Sequence, residues 1–209
     1  TINNLNIIEN ILKEKVDVLP NIIAVSKTFP VNEILPLIKH GHRHFGENKI
    51  QEALDKWSEI KNDNIKLHLV GKLQSNKTKF ALKIFDYIHS LDSEKLANKI
   101  ANEQAKQNRR PKLFIQINIG GEEQKSGIKK EDINKFYKYC KNLDLDIIGT
   151  MCIPPKNDNY QRYFLQMNKI NKGLGLVDLS MGMSEDYLVA AQNNATFLRI
   201  GSKIFGQRD

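Results

Sequence analysis

The sequence predicts an α/β protein built as a single (β/α)8 TIM-type barrel with an extra helix ahead of its first strand. Three observations point there. About eight short, apolar, β-branched runs alternate with helix-like stretches, the rhythm of a parallel sheet whose strands are joined through helices. The 209 residues, 40% of them hydrophobic, bury one sizeable core and are too few for two full domains; they sit near the lower end of the size range of such barrels. No repeat, low-complexity linker or shift in composition divides the chain, so residues 1–209 read as one domain. An open doubly wound sheet is the competing topology.

Each element has its own signal. Residues 2–16 space apolar side chains at helical intervals and form the extra helix. The strand runs cover residues 21–27, 42–46, 65–71, 85–90, 112–119, 145–151, 177–181 and 195–200. After the fourth run, Asp92 or Ser93 caps a helix in which Leu96, Ala97, Ile100, Ala101 and Ala105 recur at three- and four-residue spacing. That stripe packs on a sheet.

Composition removes several function classes. A mean hydropathy of −0.47 and the lack of an apolar run of roughly 18 residues argue against membrane insertion. Residues 1–10 show no basic, apolar and small-residue succession of a secretory signal. Cys140 and Cys152 form no CxxC pair, which excludes disulfide scaffolds and thiolate zinc sites and suits a reducing cytoplasm. The net charge of +8 attracts anions in general, but the lysines are scattered among Asn and Glu as a solvated face, so nucleic-acid binding rests on charge alone.

In a parallel barrel the site lies where the strands end. The strand ends here hold Lys27, Glu47 with Asn48, His68, Gly71, Ser90, Asn118, Met151, Ser180 to Ser184, and Arg199 to Ser202. No carboxylate pair suits a glycosidase, and no serine has an evident histidine partner. Lys27 ends the most apolar early strand, where it is either a desolvated Schiff-base amine or a lysine reaching water. Ser180-Met-Gly-Met-Ser184 and Arg199-Ile-Gly-Ser202 place small residues after the last two strands, where barrels hold phosphate; Ser184 also reads as a helix N-cap. His40, His42 and His44 alternate but lack further ligands, so they read as solvated histidines rather than a metal site. The run from Gly120 to Gly127 lacks the Gly-Lys-Ser order of a phosphate loop.

Six longer motifs share an order with one known family. Ala24-Val-Ser-Lys-Thr28, Phe45-Gly-Glu-Asn48 with Gln51-Glu52, His68-Leu-Val-Gly-Lys-Leu-Gln-Ser-Asn-Lys77, Lys125-Ser-Gly127, Leu179-Ser-Met-Gly-Met-Ser184 and Arg199-Ile-Gly-Ser-Lys-Ile-Phe-Gly206 resemble the pyridoxal phosphate homeostasis proteins, single-domain relatives of the alanine racemase barrel. The resemblance implies a fold-type III barrel carrying pyridoxal 5′-phosphate (PLP) as an internal aldimine on Lys27. It implies that Ser184, Gly201 and Ser202 hold the phosphate, that Asn48 and Met183 line the cofactor, and that Arg199 faces the pyridine nitrogen. Lys125 would lie near the entrance; His68 and Gln74 are signature positions without an assigned role. Departures are small: Gly149-Thr-Met151 stands for the usual Gly-Leu-Met, and Val70 for isoleucine.

An arginine at the ring nitrogen leaves that nitrogen unprotonated and weakens the ring as an electron sink. Racemisation also needs a second base, which alanine racemases take from a further domain of the neighbouring subunit, and 209 residues leave no room for one. The expectation is therefore a cytoplasmic, monomeric PLP carrier or buffer without a metal, serving PLP-dependent apo-enzymes. A fold-type III racemase using Lys27 as base is the alternative.

Overall fold

In the computed structural model, which describes residues 1–60, 62–156 and 159–206, the first strand hydrogen-bonds to both the second and the last. The sheet therefore closes. Its strands, all parallel and in chain order, are β1 (Asn21–Val25), β2 (His44–Glu47), β3 (Lys66–Leu69), β4 (Tyr87–Leu91), β5 (Lys112–Ile117), β6 (Ile147–Cys152), β7 (Asp178–Ser180) and β8 (Phe197–Ile200). The closed barrel disposes of the open-sheet alternative. Strand bounds are mostly shorter than the apolar runs, because a run continues into the turn that buries it.

Helices α2 (Val31–Lys39), α3 (Ile50–Trp57), α4 (Thr78–Ile84), α5 (Glu94–Gln107), α6 (Ile133–Asn142), α7 (Tyr160–Gly173) and α8 (Tyr187–Gln192) connect successive strands. A short α9 (Ser202–Phe205) follows β8, and the expected extra helix is α1 (Ile2–Lys15). Leu5, Ile8 and Leu12 form the buried stripe of α1, which packs on α8 and α9; Asn4 Nδ2 donates to the Ile204 carbonyl at 3.0 Å. Ser93, not Asp92, caps α5, its Oγ accepting the Leu96 amide. The stripe of α5 ends on Gln104 rather than Ala105, which is exposed. Gln104 lies one turn after Ile100 and donates to the Asp144 carbonyl, so a polar side chain is accommodated there.

One core layer fills the space between sheet and helices, and a second, of Ile23, Val25, Phe114, Met151 and Phe197, fills the barrel itself. The inner layer is tight at β2, where a Cβ on Gly46 would stand 2.8 Å from the Ile23 side chain. The same interior corrects one expectation. His40 is exposed as expected, but His42 and His44 are half-buried rather than solvated: His44 opens β2 and turns inward onto His68, while His42, just ahead of the strand, packs against Phe45. His42 Nε2 lies 2.9 Å from the His44 carbonyl, and burial pushes its imidazole down to about 4. Among the described residues no cluster of potential metal ligands is found, and no helix is long and apolar enough to cross a membrane.

Candidate functional site at the carboxyl ends of four neighbouring strands

Of the seven residues assigned to the cofactor from sequence, Arg199 lies on β8 and the other six follow β7, β8, β1 and β2, four consecutive staves of the barrel. Lys27 stands half-buried in the turn after β1. The next residue, Thr28, has φ +69°, a left-handed conformation costly for a β-branched side chain, so the turn must be held from outside. The hold comes from α3 and the end of β2. Lys56 Nζ donates to the Ser26 carbonyl at 2.7 Å, to Glu47 Oε1 at 2.9 Å and to Glu52 Oε1 at 3.1 Å. Glu47 Oε1 also accepts from Ser26 Oγ at 2.7 Å and Trp57 Nε1 at 3.1 Å, and the Thr28 amide donates to Glu52. Burial alone would raise the Glu52 carboxyl, yet the Thr28 amide and the Lys56 ammonium hold it below its ordinary value.

Arg199 is buried on β8, paired in register with Ile23. Its Nη1 donates to Ser180 Oγ at 2.7 Å and its Nη2 to the Cys152 carbonyl at 2.8 Å, which fixes the plane of the guanidinium. Burial pulls it below its ordinary value while nearby Cys152 and Asp186 pull the other way. The loop after β7 turns at Gly182, with φ +91°, where a Cβ would meet that of Ala190 at 2.5 Å. Met183 and Ser184 follow, both half-buried.

Ser184 does not cap α8. Asp186 occupies the N-cap position and accepts the Met183 amide at 2.6 Å, folding the loop back on itself. Ser184 Oγ instead accepts the Lys203 amide at 3.3 Å, joining the loop after β7 to the first turn of α9 beside Gly201 and Ser202. A Cβ on Gly201 would stand 3.3 Å from the Val25 carbonyl, so glycine keeps this edge against β1 open. Asn48 is half-buried after β2, and its carbonyl packs so closely on Gly71 that a Cβ there would collide with it.

Other sequence candidates fall elsewhere. Gln74 lines a rim cavity of about 390 Å³ with Asn48, Lys49, Lys72, Lys77 and the exposed Phe80. Lys125 pairs with Glu122 at 2.5 Å on the loop after β5. His68 lies within β3, wholly buried inside the barrel rather than at its mouth. Sequence reasoning gave no role to Lys56 or Glu52, although their i, i+4 spacing is visible, and it did not connect His89 with Ser180.

The alanine racemase N-terminal domain family matches residues 2–209. Pyridoxal phosphate homeostasis proteins of Haemophilus influenzae and Aquifex aeolicus are 38% and 35% identical, over 90% of this chain and 85% and 86% of theirs. The chain belongs to the pyridoxal phosphate homeostasis protein family. The structure of PipY from Synechococcus elongatus without PLP superimposes with a TM-score of 0.90 at 34% identity, covering 98% of this chain and 99% of that one. The form of that protein with PLP bound gives 0.87 over 94% and 97%. An alanine racemase of Clostridium difficile, 13% identical, shares the fold over 99% of this chain and 57% of its own, with a TM-score of 0.78.

Proposed function

We propose that this chain, as one barrel domain over residues 1–209, binds pyridoxal 5′-phosphate through Lys27 and holds it reversibly, as a carrier or buffer in intracellular PLP homeostasis, without turning over an amino acid. The supporting observation is the Lys27 turn, clamped by Lys56 and Glu52, on the strand next to Arg199 and Gly201. The donor set fits the cofactor: a lysine amine for an aldehyde, two serine hydroxyls and an open glycine edge for a phosphate, and a buried guanidinium for a ring nitrogen. When bound, the cofactor supplies an electrophilic aldehyde and a ring that stabilises negative charge.

Under this reading Ser184, Gly201 and Ser202 hold the phosphate, and Asn48 and Met183 line the ring. Arg199, already donating to Ser180 and Cys152, offers a further N–H to the ring nitrogen. A guanidinium does not release its proton near neutrality, so it orients the ring without protonating it. The Glu47–Lys56–Glu52 clamp keeps the Lys27 turn in place while the cofactor comes and goes. The names of the curated relatives and the PLP-bound PipY structure support the same assignment. The proposal extends to a cytoplasmic monomer that supplies PLP-dependent apo-enzymes, a setting that two free, buried cysteines suit.

Purified protein mixed with PLP, reduced with borohydride and digested tests this. Mass spectrometry is expected to find the reduced adduct on Lys27, and alanine incubated with the loaded protein is expected to keep its configuration. An adduct elsewhere, or none, overturns the binding site; sustained racemisation that is lost in Lys27→Ala overturns the carrier reading in favour of a racemase.

A further inference from the structure

Two loops leave neighbouring strands of the barrel and carry the two ends of the candidate site, one after β1 with Lys27 and one after β8 with Gly201 and Ser202. The ladder between β1 and β8 ends at Ala24 opposite Ile200, below both loops. An aromatic pair joins them further out: the rings of Phe29 and Phe205 stack with their centroids 4.9 Å apart and their planes at 23°. Both rings are half-buried.

Each ring sits on the residue that closes its own turn. The Phe29 amide donates to the Ser26 carbonyl at 3.1 Å and so encloses Lys27 and Thr28, whose left-handed backbone has to be held from outside. The Phe205 amide donates to the Gly201 carbonyl at 3.0 Å, and the Ile204 amide to the same oxygen at 2.9 Å, which forms the single turn of α9 beginning at Ser202. A shift of either ring is therefore a shift of the turn behind it. Lys56 and Glu52 grip the Lys27 turn from α3, and Phe205 meets it from α9, where Ser184 Oγ takes the Lys203 amide.

We propose that Phe29 and Phe205 are positioning residues: their stack sets the separation between the Lys27 turn and the phosphate seat at Gly201 and Ser202, so that a ligand carrying both an aldehyde and a phosphate is held at its two ends together. The inference rests on the proposed function and adds to it what selects the phosphorylated aldehyde over the bare one. Two anchor points reinforce each other only when they stand at the separation the ligand spans, because the second then binds as if at high local concentration. With a loose α9 each anchor works alone, and the phosphate adds little to the hold of the amine.

The placement of the pair suits positioning more than core stability. Phe29 belongs to neither core layer, and Phe205 borders the outer one beside Ile204. Pro30, directly after Phe29, restricts the backbone of Phe29 to extended conformations, which narrows where its ring can stand. On the other side Gly206, with φ +99°, ends α9 immediately after Phe205. Both rings are thus delivered to the contact by backbone that has little freedom of its own.

Pyridoxal, which has the aldehyde but no phosphate, reports the amine alone, whereas PLP reports both anchors. Titrated by the visible absorbance of lysine-bound aldehyde, Phe29→Ala is expected to bind PLP about two- to tenfold more weakly than wild type, the worth of an aromatic pair. Its affinity for pyridoxal is expected to stay unchanged, because the α3 clamp still holds the Lys27 turn, and Phe29→Tyr is expected to restore the PLP value. Equal weakening toward both aldehydes makes Phe29 a support of the Lys27 turn only, and no weakening gives it no part; either result overturns the inference. A second readout needs no cofactor. In ligand-free Phe29→Ala, hydrogen exchange of the Ile204 and Phe205 amides is expected to quicken as α9 loses its outer contact, and exchange at the wild-type rate overturns the coupling of the two loops. Wild-type protein that takes up no PLP on Lys27 overturns the proposed function and this inference with it, whereas coupled loops with an unchanged preference for PLP over pyridoxal overturn the inference alone. Should Phe29→Ala not fold, Phe29→Leu, which keeps bulk without the stack, takes its place in both measurements.

Discussion

Lys56 Nζ lies 2.9 Å from Glu47 Oε1, a buried ion pair that also clamps the carbonyl just before Lys27. Removing one partner of such a pair leaves the other charge uncompensated in the interior. Glu47→Ala is therefore expected to lower unfolding free energy by about 3–5 kcal/mol. Urea denaturation measures it. A loss within the range of an ordinary surface substitution would show that the pair does not hold the turn.

The role of Lys27 separates from stability. Lys27 stands in a turn, half-buried, and belongs to neither core layer. Lys27→Ala is expected to keep the far-ultraviolet circular dichroism of wild type and to lose the visible absorbance of lysine-bound PLP entirely. Retention of that band in the variant would move the attachment to another amine.

Gly182 tests the loop before Ser184. An alanine there meets both the left-handed backbone, costing roughly 1–2 kcal/mol, and the Ala190 methyl, where overpacking costs about 1–3 kcal/mol. Thermal unfolding of Gly182→Ala is expected at a clearly lower temperature than wild type, with PLP affinity reduced because Met183 and Ser184 are displaced. Equal melting temperatures would mean that the loop relaxes freely.

Acid is expected to destabilise the fold through the barrel histidines. His68 and His89 are buried and held neutral well below their ordinary value, whereas in the unfolded chain they take up protons near pH 6.5. The unfolded state then binds more protons, so stability falls as pH drops below about 6.5, by roughly 1.4 kcal/mol per pH unit for each such histidine. Denaturant midpoints measured across this range are expected to slope accordingly, and less steeply in His89→Phe. A flat profile would show that the histidines stay protonated in the interior.

Much of this molecule is legible in its residues alone. Apolar runs alternating with amphipathic stretches specify eight βα units, because burial on a sheet face and on a helix stripe each leaves its own period. Lys27, Gly201 and Ser202 stand out because a barrel gathers its strand ends. Periodicity says which side of an element is buried; it does not say what is met there. Ser184 looked like the cap of the helix that follows it, yet its hydroxyl takes an amide 19 positions on, across the loop from α9. His89 and Ser180 lie 91 positions apart and meet only because the closed barrel turns both inward at nearly the same height. The sequence by itself determined the units, their order and the chemistry at their ends. The partners of the buried polar groups were decided by closure and register of the sheet, since an inward side chain must find its hydrogen bond among whatever the other strands present.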